Sequence, residues 1–146
     1  MSLFSLRFLF VSRYTYVMDS QENVNKKTVL IVEDDLFLQG ILAMKLEKAG
    51  FLVERALDGK EAFSILEKKR PDLILLDLLL PGMEGYEVLS HIKETSQWAS
   101  IPVIIASNLD DPSERKRVQD LGAVDYLVKA EHTPDEIIQR VKKELR

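Results

Sequence analysis

From Lys27 onward, short apolar runs and amphipathic stretches take turns along the chain. Val29–Val32, Leu52–Ala56, Leu73–Leu76, Val103–Ala106 and Tyr126–Val128 read as strands. The runs "DLILLD" and "IPVIIA" are continuously apolar rather than alternating, as strands covered on both faces are. The segments between the runs carry apolar residues three and four apart. In the first, Leu38, Ile41, Leu42 and Leu46 predict a helix that stops at Gly50. In the last, Ile137, Ile138, Val141 and Leu145 form the predicted buried side. Asp58, Asp111 and Thr133 each stand three residues before a Glu, the order of a capping box, and Pro112 and Pro134 occupy first helical positions. The resulting βαβαβαβαβα pattern predicts an α/β fold with a doubly wound, five-stranded parallel sheet, strand order 2-1-3-4-5, and helices on both faces.

That topology has a chemical consequence. The first strand runs into Glu33, Asp34 and Asp35, and burying carboxylates is costly unless something pairs with them. Strand order 2-1-3-4-5 makes the first and third strands neighbours, so Glu33 and Asp34 meet Asp77 at the end of the third. Ser107 ends the fourth strand and Lys129 the fifth, on the same edge of the sheet. Three carboxylates gathered there repel strongly, and a hard divalent cation relieves them; an all-oxygen set favours Mg2+ over zinc. With Lys129, the Ser107 hydroxyl and backbone N–H groups around it, such a site suits a phosphoryl group, and a carboxylate can itself be the nucleophile. Asp35 is expected only to cap the helix that follows.

Composition narrows the alternatives. The 146 residues suffice for one domain, and 46% hydrophobic with 30% charged residues is ordinary for a globular protein. A net charge of −4 offers no basic field, so no nucleic-acid partner is expected. The absence of cysteine removes disulfides, thiolate metal sites and a Cys nucleophile, and fits a cytoplasmic location. No apolar run is long enough to span a bilayer, so no membrane partner is expected. Residues 1–26 read as an extension outside the domain. Their opening, "MSLFSLRFLFVSRYTYV", makes a poor secretory signal, since Arg7 interrupts its apolar core. A membrane-surface or mitochondrial-type segment is the alternative reading; the preferred one takes Met18 as the natural start. His91 and His132 lack ligand partners at useful spacing and read as surface residues, as does the "ERKR" run Glu114–Arg117.

Residues 27–146 resemble the receiver domain of bacterial two-component response regulators. The resemblance rests on "VLIVEDD", "DLILLDLLLPGMEGYEVL", "IPVIIAS", "GAVDYLVK" and the final capped helix, in that order. It implies a flavodoxin-like (βα)5 fold and a phosphorylation-controlled signalling module, of single-domain type, rather than a metabolic enzyme. It further implies that Asp77 accepts a phosphoryl group from a sensor histidine kinase or a histidine phosphotransfer protein. Asp34 would bind Mg2+ directly and Glu33 through water, with the Leu79 backbone carbonyl completing the protein ligands. Lys129 would pair with Asp77 and then with the phosphoryl oxygens. Ser107 would follow the phosphoryl group inward, and Tyr126 would swing from exposed to buried as it does. A downstream protein would read the face built by the fourth helix, fifth strand and last helix, and a homodimer is a further partner left open.

Three departures from the family pattern stand out. Ala130 replaces the proline that usually follows the lysine through a cis bond, which puts the Lys129 corner in question. Asn108 is larger than the small residue usual after the switch hydroxyl. Leu79 and Leu109 occupy positions whose side chains tune attack of water on the acyl phosphate, and two leucines predict a long-lived one. Other functions remain as rivals. A receiver-like adaptor working without phosphorylation would not need the intact acidic cluster. A Mg2+-dependent phosphohydrolase would need a second acid just after Asp77, where Leu78, Leu79 and Leu80 stand. A nucleotide or flavin binder would need a Gly-rich loop after the first strand.

Overall fold

In a computed structural model the described residues are 25–146, and the expectations for residues 1–17 and a start at Met18 lie outside them. Five strands, β1 (Thr28–Val32), β2 (Leu52–Ala56), β3 (Leu73–Leu76), β4 (Val103–Ser107) and β5 (Asp125–Val128), form one parallel sheet in the order β2-β1-β3-β4-β5. Three strands are one residue longer than the apolar runs suggested, because Thr28, Ser107 and Asp125 join the ladder through backbone pairing that side-chain polarity does not prevent. The helices are α1 (Leu36–Lys48), α2 (Gly59–Lys68), α3 (Gly85–Glu94), α4 (Pro112–Asp120) and α5 (Pro134–Glu144).

Alternation along each strand divides the core into two layers. Val29, Ile31, Leu73, Leu75, Ile104 and Ala106 pack under α1 and α5. Leu30, Val32, Ile74, Leu76, Val103 and Ile105 pack under α2, α3 and α4. β1, β3 and β4 are buried along their whole length, as their continuous apolar runs required.

The helices differ from expectation in instructive ways. The buried stripe of α1 is Gln39, Leu42, Ala43 and Leu46, while Leu38 and Ile41 are half-buried; the helix is rotated so that a polar residue faces inward. Gly50, at φ 97°, lies two residues beyond the last helical one. Of the three predicted capping boxes, only that of Thr133 and Glu136 closes in both directions. Asp58 caps α2, but Glu61 accepts from Leu57 N rather than from the cap residue. Asp111 caps α4 through Ser113 N, which holds its carboxyl below the usual range, and Glu114 turns away to accept from the Tyr86 hydroxyl.

The "ERKR" run is therefore more than a solvated face. The Arg117 guanidinium lies 3.8 Å from the Tyr86 ring centroid and that of Arg115 lies 5.3 Å from the Tyr126 ring. α4 contributes a single buried residue, Val118, and these cation–π contacts add to its attachment. His91 is exposed and tilts over Phe63. His132 is half-buried, its Nδ1 lying 3.0 Å from the Val128 carbonyl. No described helix is long and apolar enough to cross a membrane.

Candidate functional site

The C-terminal edge of the sheet gathers the polar residues. β1 continues one residue past its last regular position, since Glu33 N donates to the Ala56 carbonyl on β2 at 3.0 Å. Asp77 follows β3 directly, its N–H donating to the Val32 carbonyl at 3.0 Å. These two bonds set Glu33 and Asp77 side by side. One carboxylate oxygen from each of Glu33, Asp34 and Asp77 lies within 4.8 Å of the others. Glu33 and Asp77 are 3% and 6% exposed, and Asp34 is open to solvent. Asp35 stands apart, accepting from Phe37 N and Leu38 N as the cap of α1, as expected.

Lys129 reaches the cluster from β5. Its Nζ lies 3.0 Å from Asp77 Oδ2 and also donates to Glu33 Oε1. No described peptide bond is cis, so the Lys129–Ala130 bond is trans. The corner is taken instead by a single 3-10 turn, Lys129–Glu131, and the lysine side chain still enters the site. The substitution of Ala130 for proline thus leaves the cation beside Asp77.

The electrostatics are unbalanced. Burial pushes the Glu33 carboxyl up to about 7, although its bond and charge contact with Lys129 pull it down. Burial alone would lower Lys129, but Glu33 and Asp77 outweigh it and its pKa is raised, so the ammonium stays charged. Three carboxylates against one ammonium leave a surplus of two negative charges when all are ionised. Glu33 Oε2 is moreover buried with no hydrogen-bond partner among the described residues. A buried acceptor without a donor is costly. An all-oxygen set with a surplus of two charges and one unpartnered oxygen fits a divalent cation, so the site could hold a metal ion.

The remaining predicted residues surround this centre. Leu79 N donates to Asp77 Oδ1 at 3.1 Å, while the Leu79 side chain is 52% exposed. Leu78 is buried in the core, so the three leucines after Asp77 point to different environments. Ser107 is fully buried, and its Oγ accepts a long bond, 3.4 Å, from Leu109 N. Tyr126 is half-buried rather than exposed. Its hydroxyl donates to the Leu109 carbonyl at 2.6 Å, and burial raises its pKa. Ser107, Leu109 and Tyr126 therefore form one linked group, although Ser107 and Tyr126 sit on different strands. Asn108 is exposed.

Two supporting residues were not anticipated. Gly85 opens α3 against the loop after β3: its N–H donates to the Leu78 carbonyl at 3.0 Å, and a Cβ there would lie 2.4 Å from the Asp77 carbonyl oxygen. Only glycine permits that approach. Gln39 is 2% exposed and bonds to the carbonyl of Glu33. It heads the buried stripe, three, four and seven positions before Leu42, Ala43 and Leu46, a stripe that the nearly all-round apolar character of α1 does not mark in the sequence.

Comparison with known proteins agrees with this fold. Residues 29–142 match the response regulator receiver domain family. The phosphate regulon transcriptional regulatory protein PhoB of Rhizobium meliloti is 38% identical over 118 residues, which are 81% of this chain and 52% of that protein. The chain spans about half the length of the curated relatives it matches. Among solved structures, the chemotaxis response regulator CheY4 of Vibrio cholerae aligns with a TM-score of 0.76 at 28% identity, covering 82% of this chain and 98% of that one. The receiver domain of the Francisella response regulator 1452 aligns with a TM-score of 0.74 at 31% identity, covering 83% and 100%. With the fold, the acidic edge and a family match over most of its length in agreement, the chain belongs to the response regulator receiver domains of two-component signalling systems.

Proposed function

We propose that this chain is a phosphorylation-controlled receiver that accepts a phosphoryl group on Asp77, with Mg2+ held by Glu33, Asp34, Asp77 and the Leu79 backbone carbonyl. Receiver domains are signalling proteins that pair with histidine kinases, not metabolic enzymes. The donor for this chain would be a phosphohistidine on such a kinase or on a phosphotransfer protein. The observation that carries the reading is the cluster itself: three carboxylates within 4.8 Å and Lys129 3.0 Å from the acceptor.

In the proposed step an Asp77 oxygen attacks phosphorus, a P–O bond forms and the P–N bond breaks, and the imidazole leaves with the electron pair. Mg2+, when bound, would neutralise charge on the phosphoryl oxygens. The chain supplies the rest. Leu79 N and Lys129 Nζ bond different oxygens of Asp77 and so orient the carboxylate. Lys129, already charged, stabilises the transferred group without a change of protonation. Ser107 supplies a hydroxyl to the phosphoryl group. Drawing Ser107 inward pulls on Leu109, whose carbonyl holds the Tyr126 hydroxyl. That chain of bonds gives Tyr126 its proposed switch role and the α4–β5–α5 face its sensitivity to phosphorylation. A downstream protein is the proposed reader. PhoB is a transcriptional regulator by name, but the matched part is about half of it, and the net charge of −4 gives this chain no basic field for nucleic acid.

The test is incubation with acetyl phosphate and Mg2+, comparing the wild type with Asp77→Asn by intact mass. Phosphorylation should appear only in the wild type and vanish with chelator. A wild type that takes up no phosphoryl group under these conditions would favour the adaptor reading.

A further inference from the structure

Gln39 uses nearly all of its hydrogen-bonding capacity. Its Nε2 donates to the Glu33 carbonyl at 3.0 Å and to the Ala56 carbonyl at 2.9 Å, and its Oε1 accepts from Arg55 Nε at 3.0 Å. Only one orientation of the amide satisfies all three partners, because carbonyls need donors and the guanidinium needs an acceptor. The side chain is 2% exposed and heads a stripe continued by Leu42, Ala43 and Leu46. An apolar residue could fill the space but would leave the buried Glu33 carbonyl without this donor. The amide must therefore be judged by what it holds.

What it holds is specific. The Glu33 carbonyl belongs to the peptide that joins Glu33 to Asp34, the two acids that β1 brings to the cluster. The Glu33 N–H is fixed from the other side by the Ala56 carbonyl, which Gln39 also binds. Glu33 is thus held on both of its peptides, by a strand neighbour at its N–H and by Gln39 at the carbonyl that leads into Asp34. Asp34 is exposed, so little besides its backbone sets the direction of its carboxylate. Arg55, exposed on the edge strand β2, closes the network by fixing the Gln39 amide. A Cβ on Gly40 would sit 3.7 Å from the Arg55 Nη2, so the guanidinium lies directly over the first turns of α1.

We propose that Gln39, steadied by Arg55, is a positioning residue that sets the divalent-cation affinity of the Glu33–Asp34–Asp77 cluster. The inference rests on the metal site proposed above and adds the residue that orients its ligands. Groups behind metal ligands typically change affinity by roughly 10–100-fold when removed. Gln39→Met keeps the length and much of the volume but offers no donor to the two carbonyls. Arg55→Met removes only the bond that steadies the amide, from an exposed position where folding is not at risk.

The test is isothermal titration of the full chain with Mn2+ and with Mg2+, below the melting temperature of every variant. Gln39→Met should weaken binding roughly tenfold, the low end of that range, and Arg55→Met should shift it less, in the same direction. In acetyl phosphate reactions the Mg2+ concentration at half-saturation should rise while the rate at saturating Mg2+ is kept. Loss of folded protein would instead lower the plateau and leave the half-saturation point in place. If Gln39→Met does not fold, Arg55→Met decides. Wild-type affinity in every folded variant would overturn the proposal. A wild type that binds neither cation, and that Asp34→Asn does not distinguish, would remove the metal site and the inference together.

Discussion

Replacing Glu33 with Gln should change how the metal-free protein responds to pH. Burial moves the Glu33 carboxyl from 4.5 to about 7 in the folded state, against the pull of Lys129. In the unfolded chain the group keeps its ordinary value. Between the two values the folded protein holds a proton that the unfolded chain has released, so stability falls as pH rises. The contribution is fully present below 4.5 and lost as pH passes through about 7. At roughly 1.4 kcal/mol per unit, that displacement corresponds to about 3 kcal/mol. The replacement cannot ionise and should lack this slope. Urea unfolding with chelator, from about pH 5 to about pH 8.5, should show the stability difference moving in favour of Glu33→Gln by up to about 3 kcal/mol. Mg2+ favours the ionised carboxylate and should flatten the wild-type slope. Parallel curves for the two proteins across the window, or a gap that grows toward acid, would refute the reasoning.

Three further outcomes follow from the same geometry. Lys129→Met leaves Glu33 and Asp77 buried beside each other without a cation, and at neutral pH without metal it should cost about 3–5 kcal/mol, read by urea unfolding. Gly85→Ala places a methyl group 2.4 Å from the Asp77 carbonyl; it should destabilise by about 1–3 kcal/mol and slow acetyl phosphate transfer, the latter read by the initial rate. Replacing Leu79 and Leu109 together with Asn should hasten loss of the phosphoryl group, followed by mass after the donor is removed, because the leucines offer no hydrogen bond to an attacking water. An unchanged lifetime would count against that role for the pair.

Periodicity carried the architecture further than it carried the details. β1, β3 and β4 were legible because strands buried on both faces are continuously apolar, and strand–helix alternation allows few topologies. The proximity of Glu33 and Asp34 to Asp77 follows from strand order, which sets β1 beside β3. The rotation of α1 was not legible. The helix is apolar nearly all round, with Leu36, Phe37 and Met44 exposed, so its pattern does not pick a buried side, and Gln39 passed unnoticed. The capping signatures at Asp58 and Asp111 close in one direction only, because Glu61 and Glu114 take Leu57 N and the Tyr86 hydroxyl as partners instead of the cap backbone. The Gly85 contact depends on how closely two backbones approach, which no residue pattern records. The Lys129 corner depended on a three-residue turn that a missing proline does not foretell.

The attachment of α4 has a consequence for signalling. Its two aromatic grips reach it from separate places: Tyr86 follows Gly85, which is wedged against the Asp77 peptide, and Tyr126 holds Leu109, two residues beyond Ser107. The two grips thus start from different segments, the loop after β3 and the end of β4, by routes that share no residue. A disturbance of one route leaves the helix tethered by the other. α4 is therefore doubly moored: displacement of the loop after β3 or of the β4 end alone leaves one of its two aromatic contacts in place.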